Sequence, residues 1–142
     1  MKRTLTLVLA VAAAGIVATA GSATPRKGAL HVTKECGDYH GLPGEFCTIT
    51  SSNLPQIKSG MRVVYLQALS GLVLNSDLVL SSGHGSTASG HVVLNLVTRQ
   101  GRVTFAGGTG KFTGFEADVD VSEANGVWHW DGTYSFTLPG ED

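Results

Sequence analysis

Gly107-Gly-Thr-Gly-Lys-Phe-Thr-Gly-Phe115 sets three glycines and a lysine within five residues, the composition of a phosphate cradle. Such a loop needs Gly-x-x-x-x-Gly-Lys-Ser/Thr or Gly-x-Gly-x-x-Gly, and it must open a helix whose amide groups face the phosphate. Here Phe112 stands where the hydroxyl is required, and Gly114 falls one position late for the dinucleotide pattern. The following segment, Phe115–Val121, alternates apolar residues with Glu116, Asp118 and Asp120, a strand period of two. The stretch therefore reads as a sharp corner between strands, with glycines at positive φ and Phe112 plugging the end of a barrel.

Other residues offer acid–base chemistry. In LVLNSDLVL, Asn75 and Asp77 share a parity with Val73 and Val79, and Leu72, Leu74, Leu78 and Leu80 take the other. Facing inward, Asp77 would be a desolvated carboxyl with a raised pKa, suited to general acid or base work. Facing outward, it is a solvated strand residue. His91, Val93 and Asn95 likewise share a face, and Tyr65 can join them as a hydrogen-bond donor. Asp77 and His91 are thus the candidate catalytic residues. The five histidines show no pair at metal-ligand spacing, so no metal is expected. Gly-x-Ser-x-Gly does not occur, which leaves hydrolase chemistry without support. No cofactor motif is present.

The elements that would position these groups are strands. The chain opens with Lys2 and Arg3, an uncharged apolar run over Leu5–Ala18, and Ala-x-Ala at 18–20. This is the pattern of a secretory signal peptide, expected to be cleaved within 1–23. The run is shorter than the ~20 apolar residues of a spanning helix. A linker follows at 24–29, then one domain over 30–142. Beyond the signal, 8 basic residues face 11 acidic ones, a net charge of −3. A weakly acidic chain without a basic stripe is a poor partner for nucleic acid. Cys36 and Cys47 flank a turn-rich segment, and an even count in an exported chain implies one disulfide. A secreted or periplasmic location follows from the same features.

Turn signals recur every 8 to 12 residues, the rhythm of an all-β protein. Strands are expected over 30–33, 46–51, 62–69, 73–80, 90–98, 102–106, 115–121 and 127–138. Asn125-Gly126 is a hairpin signal. In the last strand Trp128, Trp130, Tyr134 and Phe136 share one parity against His129, Asp131, Thr133 and Ser135. Eight antiparallel strands, each with one buried face, can close into a single barrel without free edges. Its interior either is filled by side chains or holds one small ligand. In the second case Tyr65, Asn75, Asn95, Trp128, Trp130, Tyr134 and Phe136 would line the site.

The run Ala-Gly-Gly-Thr-Gly-Lys-Phe-Thr-Gly-Phe before an alternating strand, the preceding Val-Thr-Phe, and the closing Trp-Asp-Gly-Thr-Tyr-Ser-Phe together resemble allene oxide cyclase-like and dirigent-like β-barrels. The resemblance spans roughly Arg62 to Leu138. It implies an eight-stranded antiparallel barrel with an apolar lumen, often dimeric or trimeric. It also implies binding of a lipid- or phenol-derived molecule, with cyclisation or coupling as the chemistry if the protein is an enzyme. The matched motif is architectural and transfers no catalytic residue. A non-catalytic interaction barrel with a filled core is the alternative.

Overall fold

A computed structural model describes residues 26–137. The proposed signal peptide and the expected end of the last strand at Leu138 lie outside those residues. Eight antiparallel strands run in chain order: β1 (Lys27–Glu35), β2 (Phe46–Ser52), β3 (Arg62–Tyr65), β4 (Val73–Ser81), β5 (Thr87–Asn95), β6 (Gln100–Thr109), β7 (Phe115–Ala124) and β8 (Val127–Phe136). Each pairs with its neighbours, and β8 returns to β1 to close the barrel. The all-β closed barrel expected from the turn rhythm is therefore the fold.

Several boundaries differ from the expectation: β1 runs on to Glu35 where Thr33 was the expected end, β5 spans Thr87–Asn95 and not 90–98, β6 spans Gln100–Thr109 and not 102–106, and β7 extends to Ala124. β1 starts at Lys27, inside the segment read as linker, because Lys27 to Lys34 pair continuously with Ser135 to Trp128 of β8. β3 stops at Tyr65, not Leu69. Beyond it the backbone leaves the ladder, and the amides of Leu66 and Gln67 bond to the Ser76 hydroxyl at 3.2 and 3.0 Å.

The glycine-rich stretch is a corner at one end of the barrel. A short 3₁₀ turn over Gly110–Phe112 joins β6 to β7, so the stretch leads into a strand and opens no α-helix. A Cβ at Gly114, which has φ +79°, would collide with the carbonyl oxygen of Thr137. Phe112 is fully buried and meets Phe115 edge-on, with ring centroids 5.4 Å apart. At the opposite end Asn125 and Gly126 take φ +55° and +84°, the two-residue turn that the hairpin signal specifies.

Antiparallel pairing sends the connections 53–61, 82–86 and 110–114 to one end, here the lower. It sends 36–45, 66–72, 96–99 and 125–126 to the other, here the upper. Inward positions are apolar almost throughout. Leu54, Ile57, Met61 and Phe112 come from lower-end connections and are buried in the core. Above them Phe105, Phe115, Trp130, Tyr134 and Phe136 form a chain of rings with centroids 5.2 to 6.0 Å apart. Offset and edge contacts of this kind add to area burial. Among the described residues, the buried polar side chains are Lys34 and Ser76. Ser76 is satisfied, donating to the Asp77 carbonyl at 2.6 Å as well as accepting the two amides.

Candidate functional site: a buried amine at the upper end

Lys34 is the third inward residue of β1 after Leu30 and Val32. A bulge fixes its height. Thr33 pairs with Ser51 but Lys34 with Ile49, so Thr50 is the extra residue of β2. Thr50 and Ser51 then both face outward, each with its hydroxyl 2.6 Å from that of Thr33. The lysine stem is thereby directed into the upper end of the barrel, where it is 3 % exposed.

Its ammonium head meets aromatic side chains and no acid. Nζ donates to the Tyr65 hydroxyl at 2.9 Å and lies 3.7 Å from Cys36 Sγ. It sits 5.4, 5.6 and 5.7 Å from the ring centroids of Trp130, Tyr65 and Trp128. Ring faces attract a cation only partly against the loss of water, and a buried charge without a counter-charge is costly. Burial accordingly pulls the Lys34 amine down from 10.5 to about 7, with no opposing acid to restore it. The Tyr65 phenol is pushed well above its usual value, first by burial and then by neighbouring Tyr39.

A lid covers the amine. The 36–45 connection is held at its base by the Cys36–Cys47 disulfide, the pairing expected from the cysteine count. Within it, Glu45 accepts from the amides of His40 and Leu42 at 2.7 and 3.0 Å, and these bonds hold its carboxyl below the usual range. Gly44 donates to the Tyr65 carbonyl at 2.7 Å, and Leu69 donates to that of Gly41 at 2.9 Å. Tyr39 leans on Tyr65 with ring centroids 5.0 Å apart. Two buried polar atoms of this cluster have no hydrogen-bond partner: the Tyr39 hydroxyl and Trp130 Nε1. Buried polar atoms are nearly always paired, by protein or by ordered water; a third atom without a partner, Gln56 Oε1, lies at the lower end in the 53–61 connection.

The structure sorts the residues named from sequence. Tyr65 and Trp130 are buried beside the amine, and Trp128 is half-buried there. Tyr134 and Phe136 are in contact with each other lower down, away from the amine. Asn75, Asp77, His91 and Asn95 point outward. Their strands carry Leu74, Leu78 and Leu80, and Val92 and Leu94, on the buried face, so the polar set takes the wet one. There His91 Nδ1 lies 2.9 Å from Asp77 and Nε2 lies 2.6 Å from Asn75, so both ring nitrogens are engaged. Asn95 Oδ1 accepts from the amides of Val97 and Thr98 and shapes a turn. Neither Asp77→Asn nor His91→Gln is expected to shift the thermal midpoint by more than about 4 °C, since exposed pairs of this kind contribute under ~1 kcal/mol. A scanning calorimetry comparison of the two variants checks this.

No grouping of histidine, cysteine and carboxylate side chains suited to a metal occurs among the described residues. An open concavity of about 740 Å³ follows β6, β7, β8 and β1, lined by outward Thr104, Glu116, Asp118 and Thr133 and by core residues Phe105 and Tyr134 among others.

Fold and site together define a class: a closed eight-stranded antiparallel barrel with a packed interior and a buried amine under a disulfide-held loop. No protein-family model matches the sequence, and comparison with curated proteins and with solved structures finds no match.

Proposed function

We propose that this is an exported barrel that holds a small hydrophobic or aromatic molecule at its upper end, against Lys34 and the rings of Tyr65, Trp128 and Trp130. The observation that carries this reading is the unneutralised amine with two unpartnered donors in the same cluster, in a barrel otherwise filled with apolar side chains. Polar groups buried at a cost to stability concentrate at functional sites. The surroundings suit an apolar guest with a polar end. Flat rings supply area, and the lysine, tyrosine and indole N–H supply a few oriented donors. The disulfide is compatible with an oxidising compartment outside the cytoplasm. The sequence resemblance to allene oxide cyclase-like and dirigent-like barrels points to the same ligand class, with cyclisation or coupling as the chemistry to look for.

A second reading is an interaction barrel that works through its surface and has no guest. It is favoured by Leu42, Leu66, Leu72, Val73, Val93 and Val97, the exposed large aliphatics, which all belong to the upper end. Backbone bonds join their loops: Leu69 to Gly41, Gly44 to Tyr65, and Leu96 to Leu72. An apolar end of this kind suits self-association into a dimer or trimer.

Tryptophan emission separates the two. Titration with lipophilic and phenolic compounds is expected to give a saturable change, because Trp128 and Trp130 flank the amine, together with a raised thermal midpoint. No response across a broad panel, from a protein that sediments as an oligomer, would sink the first reading in favour of the second.

A further inference from the structure

We propose that Lys34 is a covalent capture site, forming an imine with the carbonyl group of an apolar aldehyde or ketone held at the upper end of the barrel. This rests on the ligand-binding reading above and specifies the chemical class of the guest.

The geometry argues for a carbonyl over other polar groups. A carboxylate guest would pair with the ammonium as a simple salt bridge, but it would also have to leave water for a cluster of aromatic rings. An alcohol would satisfy one donor. A carbonyl places an electrophilic carbon against Nζ while its oxygen accepts from a donor beside it. The unpartnered Trp130 Nε1–H belongs to one of the rings around Nζ, and the unpartnered Tyr39 hydroxyl belongs to the lid that rests on Tyr65. Hydrogen bonds to the carbonyl oxygen polarise it and stabilise the developing oxyanion.

An amine attacks only in its neutral form. With its pKa near 7, Lys34 is roughly half neutral at neutral pH, against about one part in three thousand for an ordinary lysine. The Nζ lone pair forms the C–N bond, and the carbonyl oxygen takes up a proton to give a carbinolamine. The C–O bond then breaks with release of water, nitrogen loses its proton, and C=N remains. The balance is one aldehyde plus one amine giving one imine plus one water, with no oxidant or reductant. The Tyr65 hydroxyl, 2.9 Å from Nζ, is placed to exchange the proton. Expulsion of water from an apolar box favours the imine over hydrolysis. Tyr39 and the 36–45 loop must swing aside to admit the guest. They rest on a ring contact and a few backbone bonds above the disulfide.

The test uses the full chain with its disulfide intact, 2-naphthaldehyde as probe, and 2-naphthylmethanol as the control that cannot form an imine. Sodium cyanoborohydride traps the imine as a stable secondary amine for intact-mass measurement and peptide mapping. A single adduct on Lys34 is expected at pH 7, formed at least tenfold faster than on Lys27, Lys58 or Lys111. It should be lost in Lys34→Arg and in Lys34→Met, two variants that guard against misfolding of either. Tryptophan quenching by the alcohol, with label spread over the exposed lysines and Lys34 unmodified, would overturn covalent capture and leave the binding reading standing. No quenching by either compound, with Lys34 unlabelled, would overturn both.

Discussion

At pH 6, Lys34→Met is expected to be more stable than the unaltered chain by roughly 4 kcal/mol, and the gap should narrow to roughly 1 kcal/mol by pH 9. The sign follows from the direction of the shift. Unfolded, the amine titrates near 10.5; folded, near 7. Below pH 7 both states are protonated, and the folded state carries the full cost of a buried charge. Between pH 7 and 10.5 the unfolded chain binds the extra proton, so stability rises with pH. The fall from 10.5 to about 7 corresponds to something on the order of 5 kcal/mol, since each pKa unit is worth about 1.4 kcal/mol. Methionine of similar length removes that cost but leaves the Tyr65 hydroxyl without its partner, a loss of about 1 kcal/mol. Above pH 10 the direction reverses for both proteins. Burial raises the Tyr65 and Tyr39 phenols, so they ionise in the unfolded chain first. Urea midpoints at pH 6, 7.5 and 9 check the prediction. A difference that does not change with pH would show that the amine is not buried as a charge.

Phe112→Ala is expected to cost 3 to 5 kcal/mol, the usual range for deleting a fully buried phenylalanine. The neighbouring Lys111→Ala is expected to stay within about 0.5 kcal/mol, as an exposed side chain. The contrast tests what the glycine-rich corner is. In a phosphate loop the lysine carries the function and the following position holds a hydroxyl. In a barrel corner the phenyl ring carries the stability and the lysine is incidental. Chemical denaturation of the two variants reads the difference directly. Equal effects at the two positions would contradict the plug described here.

The fold was legible because period-two alternation and turn chemistry are local signals. Phe115, Ala117, Val119 and Val121 announce their own buried face, and Asn125-Gly126 announces its own turn. The failed phosphate motif was also legible, from Phe112 and the strand that follows. The site was less so. Asn75, Asp77 and His91 drew attention as polar residues in apolar strands, but the leucines interleaved with them claim the interior. Lys34 falls just outside the strand expected from sequence, which stops at Thr33. One more step in the alternation Leu30, Val32, Lys34 puts a lysine on the inward parity, which was a signal in plain view. Its aromatic surroundings were not: they depend on Tyr65 and Trp128 coming from distant strands, and on a bulge at Thr50 that pairing alone reveals.

The seam between β1 and β8 has a consequence for how the molecule assembles. It joins His31 to Asp131, 100 positions apart, and every other pairing in the barrel is a hairpin between consecutive strands. The seven local hairpins can zip in any order, but the ring cannot shut until the first strand finds the last. Loop-closure entropy makes that meeting the slow event, so folding should take milliseconds to seconds, as for other β-proteins rich in distant contacts. Until then both marginal strands expose unpaired backbone, and β1 carries Lys34 along one of them. The chain is thus most prone to associate with its copies in the interval before the two edges meet.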